Sequence, residues 1–157
     1  MRIATGIWLR TALVAAVFLA AAQAKPNFTG NWKMNVGKSD FGAMPTPDVR
    51  TDKIVHNDPS LTDAVHQSTQ VGEVDAEFHY STDGKETTNS VRGNEIKSVA
   101  KWEGNELVIA AKSSIQGGEV TINDRWSLST DGKTLTILRH VNSAMGETDL
   151  RIVLEKQ

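Results

Sequence analysis

A series of two-residue turn signals between segments of alternating polarity runs through this chain and leaves it few ways to fold. Asp83-Gly84, Gly93-Asn94, Gly104-Asn105, Gly117-Gly118 and Asp131-Gly132 all suit hairpin turns that need positive φ. Each signal predicts a register. Asp83-Gly84 sets Tyr80 against Thr87 and Phe78 against Asn89, and Gly93-Asn94 sets Val91 against Ile96. Gly104-Asn105 sets Trp102 against Leu107 and Ala100 against Ile109. Gly117-Gly118 sets Ile115 against Val120 and Ile109 against Trp126, while Asp131-Gly132 sets Leu128 against Leu135 and Trp126 against Ile137. All these pairings put one consistent set of residues on one face, and a slip of a single residue would have exchanged the faces. With a last loop at 143–146, Ile137 meets Ile152 and Leu135 meets Leu154. Gly72-Glu73 and Asn57-Asp58-Pro59-Ser60 supply the earlier turns.

Counted from Trp32, the pattern gives about ten strands, and no helical period follows the N-terminal segment. The expected fold is all-β, an antiparallel up-and-down meander closed into a barrel, because an open ten-stranded sheet would leave long unpaired edges.

Residues 1–24 read as a cleaved signal peptide. Arg2 and Arg10 precede the apolar run Thr11–Ala20, and Ala22-Gln23-Ala24 offers the small residues of a cleavage site. The expected localisation is periplasmic or secreted, through a Gram-negative-like export signal. Removing those 24 of 157 residues leaves 133, enough for one domain over 25–157 and too few for two. Without Arg2 and Arg10 the chain has 15 basic against 19 acidic residues, a balance of −4 with the signs interspersed. Such a surface offers no basic stripe for nucleic acid. There is no cysteine, so an exported domain of this kind is stabilised by burial and a closed hydrogen-bond ladder rather than by disulfides.

The opening Phe28-x-Gly30-x-Trp32-Lys33 resembles the calycins: Gly-x-Trp on the first strand is the lipocalin hallmark, and the longer motif is similar to the start of fatty-acid-binding proteins. The last strand, Leu150–Lys156, is similar to the closing strand of the same family. Lipocalin-like secreted proteins of bacteria are the nearest resemblance. It implies a calycin-like barrel that binds a small, partly apolar molecule, with no cofactor and a monomeric state. Two departures matter. Residues 37–48 are too short and proline-broken for the family's helical pair, so no helical lid is expected. The family's Arg-x-Tyr carboxylate clamp is also missing, since Val153 stands two residues after Arg151.

Alternation sorts the turns into two ends. Trp32, Trp102, Leu107, Leu128, Leu135 and Leu154 crowd one end as a structural floor. The 37–48 segment and the turns at 72–73, 93–94, 117–118 and 143–146 form the mouth. Inside, one band is polar: Gln67, Asn89, Ser98, Asp124 and Arg139, near Tyr80, with Asp124 opposite Arg139. A buried Arg–carboxylate pair rarely adds stability over apolar packing. The band therefore either recognises a polar headgroup or carboxylate, with Arg139 as the bidentate donor and Asp124 orienting it, or holds a strand-bridging ion pair.

The rival function is a protein-interaction module, a secreted or envelope inhibitor or adaptor acting through the mouth loops, with Phe41, Met44 and Met145 as exposed anchors. Enzyme motifs are not supported by spacing, and the residual alternative is a hydrolase with His56 and Asp63 facing inward. The register also sets His66 against His79 on the outer face, a surface pair with no clear third ligand, so no metal is expected.

Overall fold

A computed structural model describes residues 24–157. The expected export segment, apart from Ala24, lies outside the described residues. Ten strands follow in order: β1 (Gly30–Met34), β2 (Val49–Asn57), β3 (Ser60–Thr69), β4 (Gly72–Ser81), β5 (Asp83–Val91), β6 (Asn94–Glu103), β7 (Glu106–Ile115), β8 (Gly118–Leu128), β9 (Thr134–Ser143) and β10 (Gly146–Lys156). The only helical piece among the described residues is a single 3₁₀ turn, Val36–Lys38. The sheet order is β4-β3-β2-β1-β10-β9-β8-β7-β6-β5, so β1 pairs with both β2 and β10 and joins the two ends of the chain. This is the expected meander barrel without a helical lid.

The turns at 104–105, 129–133 and 144–145 give the expected registers, with Trp102 opposite Leu107, Leu128 opposite Leu135, and Ile137 opposite Ile152. Two other turns sit one residue earlier than expected. Arg92-Gly93 and Gln116-Gly117 form the loops, with φ of 50° and 80° in the first and 52° and 81° in the second. Both central residues of such a turn need positive φ, and glycine takes the second, more extreme value. Moving a turn by one position slides the pairing by two. Asn89 therefore faces Ile96, and Leu107 rather than Ile109 faces Trp126, while every side chain stays on its expected face.

The β3–β4 turn departs further. Gln70-Val71 forms it, and the Thr69 hydroxyl closes it, accepting from Val71 N–H at 3.3 Å and donating to Gly72 O at 3.0 Å. The pairing slides by four, which separates the expected His66–His79 pair. His66 faces Asp75 and bonds it at 2.8 Å, and His79 faces Thr62.

The expected Asp83-Gly84 hairpin does not form a ladder, and β4 and β5 are the two lateral strands of the sheet. The cause lies at residue 82. Thr82 N–H donates to Pro59 O at 2.8 Å and its hydroxyl to Asp58 Oδ1 at 2.6 Å, tying the chain to the β2–β3 turn. The strands part above it. Asn89 bridges the gap by imitating a peptide unit: its Oδ1 accepts from His79 N–H at 2.7 Å and its Nδ2 donates to His79 O at 3.1 Å.

The floor is built from the opening motif. Phe28, fully buried, stacks on His56 and Trp102 with centroids 5.6 and 5.8 Å apart and meets Trp126 edge-on at 5.7 Å. Trp32 Nε1 donates to Phe28 O at 2.9 Å. A Cβ at Gly30 would lie 2.7 Å from Cε of Lys156, whose ammonium sits over the Trp32 ring. Trp32, Leu107, Leu135 and Leu154 are buried here, and Trp102 and Leu128 pack against them. Burying each large side chain contributes on the order of 1.5 to 3 kcal/mol.

Candidate functional site

Above the floor the interior turns polar, and two regions of the sheet that are far apart in sequence carry the charge. Arg50 and Asp52 stand two apart on β2, so alternation points both inward. Arg50 Nε and Nη2 donate to Asp52 Oδ1 and Oδ2 at 2.8 and 2.7 Å, and both side chains are almost completely buried. Across the barrel Arg139 on β9 faces Asp124 on β8, and its Nε and Nη2 donate to Asp124 at 2.8 and 2.7 Å. The two pairs have the same geometry, but their exposure differs. Asp124 keeps 4% of its side-chain exposure, whereas Arg139 keeps 26% and borders open interior space.

Asp63 on β3 lies between Ile54 and Phe78 and is 2% exposed. Among the described residues its Oδ1 has no hydrogen-bond partner. Burial, and then the charge of Asp52, push its carboxyl well above the usual range, against the pull of Arg50 and Arg139. Burial, followed by the carboxylates of Asp124 and Asp63, also raises the Tyr80 phenol. Burial alone would lower Arg139, but the charge and hydrogen bonds of Asp124 outweigh it and hold the guanidinium firmly protonated.

Two spaces open between these groups. One of about 130 Å³ touches Arg50, Asp63, Gln67, Tyr80, Trp126 and Arg139. A second of about 70 Å³ touches Ser98, Asp124 and Arg139. Phe78, Tyr80 and Arg139 border both. Ser98 is 1% exposed, and among the described residues its hydroxyl has no partner. Buried polar atoms are almost always paired, so two orphans facing one interior single out these spaces as the candidate site. A larger depression of about 470 Å³ lies on the outer face of β8 to β10, between Arg125, Leu138, His140 and Arg151. The smaller interior spaces are the better candidate because they hold the orphaned groups.

The structure brings Gln67, Tyr80, Ser98, Asp124 and Arg139 together around the interior spaces, as the sequence suggests. Asn89 is buried but has both ends of its amide engaged by His79, which makes it a strut across the β4–β5 gap. His56 and Asp63 both point inward without pairing. His56 Nδ1 accepts from Phe28 N–H at 3.3 Å, which leaves the proton on Nε2, 2.8 Å from Asp58 Oδ1. Asp58 also accepts from Thr82 and from Trp102; burial works to raise its carboxyl, and these hydrogen bonds reverse that to a net lowering. The His–Asp couple therefore belongs to the floor and not to a hydrolytic pair with Asp63.

Arg50 and Asp52 are the charged interior residues that sequence reasoning missed. Their signal was the Arg-x-Asp-x-Ile-x-His alternation of β2, which becomes readable only once the 58–59 turn fixes which face is inward.

No protein-family model matches the chain, and no curated protein matches it in sequence. Solved structures do match it. A secretory abundant heat soluble protein from Ramazzottius varieornatus superposes with a TM-score of 0.63 at 16% identity, covering 85% of this chain and 97% of that one. Zebrafish ileal bile acid-binding protein in complex with cholic acid gives 0.55 at 20% identity, covering 83% and 98%. A variant of the fluorescent protein UnaG gives 0.54 at 16% identity, covering 83% and 96%. At these identities the likeness concerns architecture, and the architecture of this chain is a calycin-like β-barrel.

Proposed function

We propose that this chain is exported and works as a non-catalytic binding barrel for a small, partly apolar molecule whose polar end lies among Asp63, Asp124 and Arg139. The observation that carries the reading is an interior space of about 130 Å³ that joins aromatic walls to buried, partly unpaired polar groups. Packing alone would have filled such a site with apolar side chains, since buried charge adds little net stability. The bile acid-binding neighbour, solved with cholic acid, supports small-molecule binding by a barrel of this architecture. The export reading rests on residues 1–24.

A carboxylate headgroup is the less favoured version of the polar end. The Nε/Nη2 edge of Arg139, the geometry that grips a carboxylate bidentately, already holds Asp124.

Native mass spectrometry of the mature protein isolated from its own host tests the reading, with Ala76→Phe as a variant that fills the larger space. The expected result is a small-molecule mass retained by the parent and lost by a folded Ala76→Phe. A bare polypeptide in the parent, with no mass recovered on organic extraction, would refute it.

One observation favours a second reading, an interaction module acting through the mouth. Phe41, expected as an exposed anchor, is instead 7% exposed and part of the core, where it continues the chain along β10 beside the Asp40–Arg151 bridge. Met44 is 43% exposed and Met145 98%, and Val71 at the β3–β4 turn joins them at 94%. An apolar rim of this kind suits a protein partner. A specific protein that co-purifies and is lost on Met145→Lys would favour it.

A further inference from the structure

The interior contains one acidic group that the protein leaves without a partner. Arg50 is matched by Asp52 and Arg139 by Asp124, each through a two-point salt bridge, so these four charges cancel. Asp63 is the fifth ionisable side chain of the cluster. It is 2% exposed, borders the space of about 130 Å³, and has an Oδ1 with no hydrogen-bond partner among the described residues. A carboxylate guest would add a negative charge to a cluster that has no free positive one. A cation is the only charged guest that leaves the interior neutral while Asp63 ionises.

The walls suit the same guest. Phe78 and Tyr80 stack with centroids 6.0 Å apart and an interplanar angle of 5°. Trp126 meets Tyr80 edge-on at 6.3 Å. All three border the space that Asp63 borders. Aromatic faces attract an ammonium and also pack against an aromatic or aliphatic body. A dry apolar cavity of roughly 150 Å³ accommodates one benzene ring, so a space of this order calls for a compact molecule rather than a long-chain lipid.

We propose that the barrel binds a compact arylalkyl amine, with its ammonium against Asp63 and its ring among Phe78, Tyr80 and Trp126. The proposal rests on the carrier reading above and names the substrate class of the same site. Burial and Asp52 hold the empty-state carboxyl of Asp63 protonated well above the usual carboxylate range. An alkylammonium that enters therefore displaces that proton to solvent, and a neutral amine that enters takes it up directly. Both routes end in an ammonium–carboxylate pair, and the overall charge balances. The charged and titratable groups that face Asp63 are Arg50 and Asp52 from β2, Tyr80 from β4, Asp124 from β8 and Arg139 from β9. The two arginines remain paired to their own carboxylates throughout.

The test is isothermal titration calorimetry of the mature chain with 2-phenylethylamine, 2-phenylethanol and 3-phenylpropanoate. It is run at about pH 6, where the amine and the free acid are both ionised, in two buffers of different ionisation enthalpy. The expected result is about tenfold or more tighter binding of the amine than of the alcohol, with net proton release on amine binding. Asp63→Asn, of nearly the same shape, should still bind the alcohol and lose both the preference and the proton release. Equal or tighter binding of the alcohol or the carboxylate would overturn the amine assignment and leave the carrier reading standing. Both comparisons are read on the unmodified chain, whatever the variant's fold. Failure of all three probes at millimolar concentration would overturn the amine assignment, and the carrier reading would then be decided by the native mass spectrum.

Discussion

Removing Arg139 should cost more than removing Asp124, and removing both should cost less than removing Arg139 alone. Arg139→Met leaves the Asp124 carboxylate, 4% exposed, with the Trp126 indole N–H at 3.4 Å as its remaining contact. Stranding a buried charge in this way costs about 3 to 5 kcal/mol. Asp124→Leu strands a guanidinium that still has 26% of its side-chain exposure and lies within the field of Asp63. Asp63 can ionise in response, so the cost falls to about 1 to 3 kcal/mol. The double variant, with Met beside Leu, has no stranded charge and packs one apolar group against the other. Its stability should come within about 1 kcal/mol of the parent, a coupling of roughly 3 kcal/mol or more between the two sites. Urea unfolding of the four proteins, followed by tryptophan fluorescence, measures all three differences, because Trp126 adjoins the pair. The Arg139→Met midpoint temperature should fall by about 10 to 20 °C on the scale for a domain of this size. A double variant whose loss equals the sum of the singles would refute the reasoning, as would an Asp124→Leu loss larger than that of Arg139→Met.

Asn89→Ala removes both side-chain bonds across the β4–β5 gap and leaves the His79 N–H and C=O unpaired. The expected cost is about 1 to 3 kcal/mol. Hydrogen exchange should show faster exchange of the His79 amide while β7 and β8 keep their protection, and an unchanged His79 amide would contradict the strut. Asp63 makes a prediction with a sign. Its native-state value is raised, so the folded chain holds a proton that the unfolded chain loses near pH 3.9. The stability this contributes is present below that value and declines as pH rises toward the native value. Thermal melts of Asp63→Asn and parent from about pH 4 to 8 should therefore diverge, with the variant gaining on the parent as pH rises. Parallel curves would refute the burial argument.

How much was legible in advance can be followed through single residues. Trp126 and Ile137 face each other as the Asp131-Gly132 signal implies, and Asp124 meets Arg139 one rung pair away. Leu107 was expected opposite Trp102 and is there. Yet Leu107 also faces Trp126, the place sequence reasoning assigned to Ile109. The error was in the rung and not in the face. A hairpin turn that moves by one residue slides its partner strand by two, and the period of a strand is two, so inward residues remain inward. Faces are protected against the commonest misreading, and rungs are not. The His66–His79 pair and the 83–84 hairpin failed for the second reason, because a threonine side chain closed one turn and a tie to Pro59 and Asp58 opened the other.

Local pattern along the chain specifies the strand count, the inward set, the floor around Trp32, and one of the two buried Arg–Asp pairs. These follow from alternation and turn chemistry, which act over a few residues. Barrel closure is what sets Arg50 and Asp52 in the same interior as Asp124 and Arg139, with Asp63 left unmatched among them. That outcome depends on how β1 joins β10 and how far β4 stands from β5, and closure around a barrel brings together strands that local pattern cannot relate.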